Sequence, residues 1–456
     1  MKRRTLTDDT ENRRFDSPLP ENETEKPAAK AGAYLVGVTE AGEDPTDAKE
    51  HLEELKELAS ALKFPVAGQM MTAIRQAPHP KYYVGSGKAE EIAKAAKETH
   101  AEVVVFDTEL GASQQRNLER LTGLNVVDRQ EIILDIFAER ARTREAVLQV
   151  ELARNKYFLP RLTRAWSHLS RQHGGAMGTR GEGEKQIEYD RRMVKLRISQ
   201  LEKELSEVRK QRNVQRKGRI RKGLPLAAIV GYTNAGKSSL LNRLTGADAL
   251  VEDQLFATLD PTTRKFILPN HGELILTDTV GFIRKLPHSL VEAFKSTLEE
   301  AVLADFLVMV LDISNPEAES HWETTLSVLT ELGAEKKPML TVFNKCDRQN
   351  DPLVRLRMKS MDPNGVFVSC RTGEGLDRLG QALIAFQKKH SDLEELLIPP
   401  DRPDIVAALH SRASLLEGKY LDDGSFACAA RIPYTQTGVF SPFYKNRNIQ
   451  PTEDSI

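Results

Sequence analysis

The order of apolar and polar positions predicts two kinds of regular structure in the first and central parts of the chain. Residues 47–62 and 89–99 repeat their apolar positions with the period of a helix. Short apolar runs bounded by polar or turn residues predict buried strands at 34–38, 101–107, 226–230, 274–278, 306–312 and 339–343. Because strands alternate with helices, we predict an α/β fold built on parallel sheets.

Residues 131–208 follow a different pattern. Residues 131–157 place scattered apolar positions among charges, and Pro160 ends this predicted helix. Beyond the glycine-rich segment 174–183, a seven-residue repeat predicts a second helix through Ile187, Val194, Leu201 and Val208, with Ile198 and Leu205 between them. Two long helices joined by a loop predict an antiparallel hairpin.

A chain of 456 residues is too long for a single hydrophobic core. From residue 396 the pattern predicts a strand, a helix over 404–417 and a strand over 426–432, which form a small α+β domain. We therefore predict these divisions: a disordered tail 1–30, an N-terminal α/β subdomain 31–128, a helical hairpin 129–222, a second α/β domain 223–390, the α+β domain 391–435, and a tail 436–456.

Composition indicates a soluble protein. The chain has 40% hydrophobic residues and no apolar run long enough to cross a membrane. Its first residues lack the apolar core of a secretory signal, and three cysteines are too few for a disulfide framework. We expect a cytoplasmic protein, without a membrane span, that acts as a monomer.

Charge is unevenly distributed along the chain. Residues 140–222 hold 23 Lys and Arg against nine Asp and Glu, a net charge of +14, whereas the whole chain has a net charge of −1. Such segregation indicates an arm that meets a polyanion, although a solvated helical surface is the alternative. Its glycine-rich tip predicts RNA contacts by Arg164, Trp166, Arg171 and Arg180, against the alternative of a loop that is merely mobile.

The segment 231–238, GYTNAGKS, lies between a predicted strand and a predicted helix. Two glycines at this spacing let backbone amides approach a triphosphate, Lys237 would reach its β- and γ-phosphates, and Ser238 would bind Mg²⁺. A glycine-rich turn that matches by chance is the alternative. The predicted nucleotide contacts of this loop are Gly231, Asn234, Ala235, Gly236, Lys237, Ser238 and Ser239.

Two further segments have the character of GTPase switches. The second switch is the segment 278–281, DTVG, at the end of a predicted strand. There the Asp278 carboxylate would support the Mg²⁺ site, and the Gly281 amide would contact the γ-phosphate. Among the threonines that precede this strand we choose Thr262 as catalytic residue and metal ligand, with Thr258 and Thr263 as competitors.

The segment 344–347, NKCD, selects the base. A carboxylate only accepts hydrogen bonds, so Asp347 would pair with the two donors on the guanine edge. Asn344 and Lys345 would complete this contact, and the backbone at Ser369, Cys370 and Arg371 would donate to the guanine carbonyl. Four such motifs in this order predict a P-loop GTPase.

Three further features of the sequence carry predictions of their own. Phe282 occupies the place where Ras-like enzymes have a water-positioning glutamine, so we expect slow hydrolysis that a partner accelerates. Asp107 ends a predicted strand and either binds a ligand or caps the next turn. Residues 85–88, GSGK, lack the spacing of a phosphate loop and predict a turn that enters a helix.

Several segments resemble the HflX family of translational GTPases. They are residues 256–262, 282–294, 180–184, 190–192 and 128–138. The resemblance runs from about residue 33 to 435 and implies a Ras-like domain, an N-terminal α/β subdomain, a helical hairpin and a small C-terminal domain. It also implies binding to the large ribosomal subunit and its RNA, and dissociation of stalled or idle ribosomes.

The family also has a hydrophobic residue where this chain has Phe282, and more often has alanine where this chain has Cys370. A GTPase in ribosome assembly or RNA modification is the runner-up. A nucleotide-dependent switch for a protein or membrane partner, and a P-loop kinase, are further alternatives, of which residues 344–347 disfavour the kinase.

Overall fold

The computed structural model describes most of the chain. The described residues are 32–40, 42, 45–74, 77–162, 180–220, 225–246, 255–256, 258–269, 273–284, 295–349, 351–389, 391–433 and 436–445.

The N-terminal subdomain is a four-stranded parallel sheet in the order β2-β1-β3-β4, with helices on both faces. Successive strand residues face opposite sides, so Leu35 packs with helix α1 whereas Val36 packs with α2. In chain order the elements are β1 (Ala33–Thr39), α1 (Pro45–Ala61), β2 (Val66–Ala73), α2 (Ser86–Glu98), β3 (Val103–Phe106), α3 (Ala112–Thr122) and β4 (Asn125–Asp128).

The predicted hairpin is built differently at its base. Helix α4 (Arg129–Arg140) packs into the core of the N-terminal subdomain through Ile133 and Phe137, so the change in packing comes at residues 141–143 and not at 129. There the chain turns and α5 (Arg144–Phe158) begins, followed by a 3-10 turn at Leu159–Arg161.

Helix α6 (Arg180–Ile220) is the second helix of the hairpin, and it begins inside the segment predicted as a glycine-rich loop. Helices α5 and α6 pack along a seam of leucines, which confirms the heptad pattern. Its buried members are Leu148, Leu152, Leu201 and Leu205.

The central domain has a six-stranded sheet in the order β10-β9-β8-β5-β7-β6, in which only the edge pair β6–β7 is antiparallel. This order brings the carboxyl ends of β5, β7, β8 and β9 to one edge of the sheet. The elements are β5 (Leu226–Gly231), α7 (Lys237–Thr245), β6 (Thr262–Ile267), β7 (Glu273–Asp278), α8 (Lys295–Leu303), β8 (Phe306–Asp312), α9 (Ala318–Glu331), β9 (Met339–Asn344), α10 (Pro352–Met361), β10 (Val366–Phe367) and α11 (Leu376–Lys389).

The C-terminal domain is a three-stranded antiparallel sheet in the order β11-β13-β12. The predicted helix over 404–417 ends earlier, because the residues after Arg412 pair with β13 as a strand. Phe440, which the sequence assigned to a tail, is fully buried against the sheet. The elements are β11 (Ser391–Ile398), α12 (Pro403–Arg412), β12 (Ser414–Tyr420), β13 (Phe426–Pro433), α13 (Thr437–Phe440) and a 3-10 turn at Ser441–Phe443.

One hydrophobic cluster crosses the boundary between the N-terminal subdomain and the central domain. It joins Leu55 of α1 and Phe137 of α4 to Tyr232, Phe256 and Phe282 of the central domain. In the part of the chain that the structure describes, no helix is long and apolar enough to span a membrane.

Candidate functional site: a nucleotide cleft at the end of the central sheet

Two glycines shape the loop between β5 and α7. Gly231 has φ +144°, and a Cβ there would lie 2.2 Å from the carbonyl oxygen of Val310. Gly236 has φ +93°, and a Cβ there would lie 2.2 Å from Nδ2 of Asn344. Only glycine fits either position, which leaves the backbone amides at the amino end of α7 open to an anion.

Lys237 is the first residue of α7 and is buried. Its Nζ donates to the carbonyl oxygen of Tyr232 at 2.6 Å. Burial lowers the pKa of Lys237 to about 8, against the opposing effect of the Asp278 carboxylate. Burial likewise raises the pKa of Asp278, while Lys237 opposes the shift. The two groups therefore form a buried cation and anion at the base of the loop.

The oxygens beside Lys237 fit a magnesium ion. The Ser238 hydroxyl donates to Oδ2 of Asp278 at 2.6 Å and lies 2.7 Å from Oγ1 of Thr258. Oδ1 of Asp278 is buried and has no hydrogen-bond partner among the described residues. Hydroxyl and carboxylate oxygens are hard ligands of the kind that Mg²⁺ takes. P-loop GTPases generally use Mg²⁺ with GTP, and this oxygen set suits it.

The structure brings Thr258 to this site and not Thr262. Thr262 is the first residue of the edge strand β6, where its backbone pairs with Asp278 across the antiparallel ladder. Thr263 follows it in the same strand and bonds to Thr277. Because the ladder fixes both residues, the only one of the three threonines beside Ser238 is Thr258, which the sequence analysis had ranked as a competitor.

The base-selecting residues meet at the carboxyl end of β9. Asn344 donates to the carbonyl oxygen of Ala235 at 2.8 Å and accepts from the Cys370 amide at 3.2 Å, so it ties the phosphate loop to the base loop. Ser369 donates to Oδ1 of Asp347 at 2.7 Å. This hydrogen bond is the main reason that the pKa of Asp347 is lowered, which keeps the carboxylate an acceptor. Lys345 pairs with Asp312 at 2.7 Å.

The side chains of two arginines support the base loop, and neither side chain was predicted to do so. Arg243 of α7 donates to the carbonyl oxygens of Cys370 and Arg371 at 2.8 and 3.0 Å and so holds the loop in place. The exposed Arg371 pairs with Oδ2 of Asp347 at 3.1 Å. Their only sequence signal was a basic residue near each motif, which is too common to be specific.

These residues enclose a cavity of about 460 Å³. Predicted contacts that line it are Asn234, Gly236, Lys237, Ser238, Ser239, Gly281, Asn344, Lys345, Asp347 and Cys370. Ala235, Asp278 and Ser369 are hydrogen-bonded to residues of this lining, whereas Gly231 and Thr262 are outside it. The lining also includes six residues that were not predicted as contacts: Thr233, Asn242, Arg243, Phe256, Thr279 and Arg348. It further includes Thr258, predicted only as a competing metal ligand, and Arg371, predicted only for its backbone.

Comparisons with known proteins agree with this geometry. Three family models match in succession: a GTP-binding GTPase N-terminal model over residues 49–138, a GTP-binding GTPase middle-region model over 140–219, and a 50S ribosome-binding GTPase model over 226–345. The GTPase HflX of Akkermansia muciniphila is 50% identical over 415 residues, which cover 88% of this chain and 94% of that protein. The chain belongs to the HflX GTPase family.

Other members are similarly close. The GTPase HflX of Escherichia coli strain K12 is 45% identical over 385 residues, covering 84% of this chain and 90% of that protein. Among solved structures, a GTP-binding protein from Sulfolobus solfataricus in complex with GDP is 26% identical, covers 78% of this chain and 98% of that chain, and has a TM-score of 0.41. Family membership and the cleft together identify the chain as a GTP hydrolase, as the motifs predicted.

Phe282 has a structural position in this HflX-family protein. Its side chain is buried in the cluster that joins the two α/β units. Its backbone amide donates to Gly231 at 3.1 Å, and its carbonyl oxygen accepts from Thr233 at 2.8 Å. Gly281 therefore lies against the phosphate loop, where a Cβ would come within 2.9 Å of the Lys237 Nζ. Phe282 offers no side-chain hydrogen bond to a water molecule.

The remaining predictions lie elsewhere. Arg164, Trp166 and Arg171 are outside the described residues, and for Arg180 the structure describes only that it begins α6. Residues 85–88 do lead into a helix as predicted, but α2 begins at Ser86, three residues before the predicted start, so only Gly85 precedes it. Asp107 accepts a hydrogen bond from Arg129 at 2.6 Å inside the N-terminal subdomain.

Proposed function

We propose that this HflX-family GTPase binds the large ribosomal subunit through its basic arm and uses GTP hydrolysis to dissociate stalled or idle ribosomes. One observation carries the proposal: the arm, the N-terminal subdomain and the nucleotide cleft share packed contacts. α5 begins where Asp260, between the cleft and β6, accepts hydrogen bonds from the backbone amides of Arg142 and Thr143 at 3.2 and 3.0 Å. A change at the cleft can therefore move the base of the arm.

Charge supports a ribosomal partner. The net charge of +14 over residues 140–222 suits RNA, which is a polyanion, and the family model over the central domain carries a 50S ribosome-binding description. Contacts by Arg164, Trp166, Arg171 and Arg180 at the tip remain a prediction. A ribosomal partner also implies that the protein works in the cytoplasm.

In the cleft, different residues bind the base, the γ-phosphate and the metal ion. Asp347 holds the guanine edge, while Lys237 and the Gly281 amide neutralise charge that develops on the γ-phosphate. Ser238, Asp278 and Thr258 would hold Mg²⁺, which supplies further charge neutralisation when bound. We propose Thr258 for this role in place of Thr262, because it is the threonine beside Ser238.

Because Phe282 cannot orient the attacking water, we expect hydrolysis to be slow until the ribosome orders the cleft. The experiment measures GTP hydrolysis with and without purified large subunits, together with dissociation of intact ribosomes on sucrose gradients. We expect stimulation, and we expect the combined reversal Arg164→Glu, Arg171→Glu and Arg180→Glu to abolish it while leaving unstimulated hydrolysis unchanged.

The matched control reverses three exposed lysines away from the arm, Lys63→Glu, Lys336→Glu and Lys419→Glu, and should retain stimulation. Lack of binding and lack of stimulation by mature subunits would reject the proposal. Binding to precursor particles in preference to mature subunits would favour the alternative, a GTPase in ribosome assembly or RNA modification.

A further inference from the structure

The backbone of Arg284, three residues beyond Gly281, is held from both sides. Its amide donates to the Tyr232 hydroxyl at 2.9 Å, and its carbonyl oxygen accepts from Nη2 of Arg129 at 3.2 Å. Tyr232 belongs to the phosphate loop, whereas Arg129 begins α4 of the N-terminal subdomain. Two separate domains therefore fix the backbone just beyond the second switch.

Glu54 of α1 joins these two side chains. One of its carboxylate oxygens accepts from the Tyr232 hydroxyl and the other from Arg129. Arg129 is itself buried and also donates to Asp107 at 2.6 Å, so it cannot swing away without breaking an ion pair. We call Glu54, Arg129 and Tyr232 the clamp.

The Arg284 side chain adds a further bond. Its Nη2 donates to Glu317, which precedes α9, at 2.5 Å, while its Nη1 lies 3.7 Å from Glu50 of α1. Phe282, between Gly281 and the clamped residue, is bonded through its amide and carbonyl to the phosphate loop. Phe282 and Arg284 are consequently both fixed, and the Gly281 amide directly before them has little freedom to move.

An interface needs no such cluster for stability. The apolar contacts between the two α/β units already hold them together, and buried ion pairs often cost as much free energy as they return. What a network of directed hydrogen bonds adds is a defined position for the atoms that it binds.

We propose that Glu54 and Arg129 are positioning residues for GTP hydrolysis, which act through Tyr232 and Arg284 to hold the Gly281 amide at the γ-phosphate. The N-terminal subdomain thus completes the nucleotide site. Because only GTP has a γ-phosphate, the clamp favours GTP over GDP and accelerates the chemical step without touching the nucleotide.

The test uses full-length protein without ribosomes and two conservative variants. Tyr232→Phe removes the hydroxyl and keeps the ring, and Glu54→Gln keeps the shape of a side chain remote from the nucleotide. For each we expect about a tenfold fall in single-turnover GTP hydrolysis, since one directed hydrogen bond is lost. Affinity for a non-hydrolysable GTP analogue should fall similarly, and affinity for GDP should stay unchanged. The double variant should fall little further than either single one, because both break one network.

Tyr83→Phe is the matched control, since the Tyr83 hydroxyl also bonds to a glutamate, Glu40, within the N-terminal subdomain. It should leave both nucleotide measurements unchanged. Equal losses of GTP and GDP affinity would indicate a structural role and overturn the proposal, as would a wild-type rate in Glu54→Gln or additive effects in the double variant. Thermal midpoints within error of the control would show that the folded state is retained.

Discussion

The N-terminal and central sheets differ in whether the carboxyl ends of their parallel strands are open to a ligand. In the central sheet the strands β5, β7 and β9 end beside a cavity of about 460 Å³, and Asp278 keeps a buried oxygen without a partner among the described residues. In the N-terminal sheet β4 ends in Asp128, whose two oxygens accept from Tyr157, Arg161 and the amides of Glu131 and Leu110.

The difference shows that strand order alone does not make a ligand site. In both sheets, acidic residues lie at the edge formed by the carboxyl ends of the strands. Only in the central sheet is one of these strands followed by a glycine-containing loop that admits an anion. In the N-terminal sheet the arginines Arg129 and Arg161 occupy the edge and neutralise its carboxylates. One edge is therefore open for nucleotide, and the other is closed by the protein's own cations.

Lys237→Ala gives the largest expected change at the open edge. It removes the cation that faces the phosphates, so GTP hydrolysis should fall about 10³-fold, on the order of 4 kcal/mol of transition-state stabilisation. Single-turnover hydrolysis measures this effect. The control Lys265→Ala, an exposed lysine of the same domain, should hydrolyse GTP at the wild-type rate. A Lys237 variant as fast as the control would show that the cleft has another active cation.

Arg161→Met tests the closed edge. The buried Asp128, whose pKa burial raises to about 6, would lose its ion pair, so we expect unfolding to become easier by about 3 kcal/mol at pH 7. The cost should be smaller at pH 5, where Asp128 is largely protonated in the variant. Urea denaturation at both pH values measures it, with nucleotide affinity unchanged. An equal cost at both pH values would argue against a buried charge as the cause.

Asp347→Asn should alter the base preference. The amide cannot accept from both donors of guanine, so affinity for GTP should fall about a hundredfold, close to 2.7 kcal/mol. Xanthosine triphosphate, which has a carbonyl where guanine has its amine, should bind the variant better than GTP does. Competition binding measures both affinities, and an unchanged order of preference would remove Asp347 from the base contact.

His321→Phe gives the smallest expected change, at the junction of the two units. The His321 ring stacks on Tyr232 with centroids 3.7 Å apart, and burial, aided by Arg284, lowers its pKa from 6.5 to about 4. Since the unfolded chain then binds more protons, His321 stabilises the fold above pH 6.5 and loses this stabilisation as pH falls towards 4.

Wild type should therefore lose about 1.6 kcal/mol more than His321→Phe between pH 6.5 and pH 5. Comparing the two proteins cancels the opposite contribution of Asp128. His410→Phe, a change at an exposed histidine, should keep the wild-type dependence. Parallel stability curves for wild type and His321→Phe would mean that His321 has the same pKa in the native and the unfolded chain.

Much of the cleft was predictable because its chemistry is local. The phosphate loop needs Gly231 and Gly236 at fixed spacing in one short segment, and the base contact needs Asn344 and Asp347 in another. Each of the two segments can therefore be recognised as a sequence motif. The prediction of Thr262 as the metal ligand does not match the structure. Ladder pairing with β7, a contact distant in sequence, assigns Thr262 to a strand and leaves Thr258 beside Ser238.

Other misjudged boundaries share this cause. The periodicity of residues 131–157 gives no sign that the helix breaks at residues 141–143, because the hydrogen bonds that favour the break come from Asp260, more than a hundred positions away. Likewise the residues after Arg412 look helical until β13 offers them a partner strand. Local periodicity cannot report such long-range partners.

The sequence by itself determined that this chain binds and hydrolyses a guanine nucleotide and that it carries a basic helical arm. Motif spacing, heptad repeats and local charge depend only on residues that are close together in the sequence. Only the tertiary structure decided which carboxylates remain available to ligands and that Glu54 and Arg129 reach the backbone beside the second switch. The physical reason is that burial and hydrogen-bond partners depend on packing between distant segments.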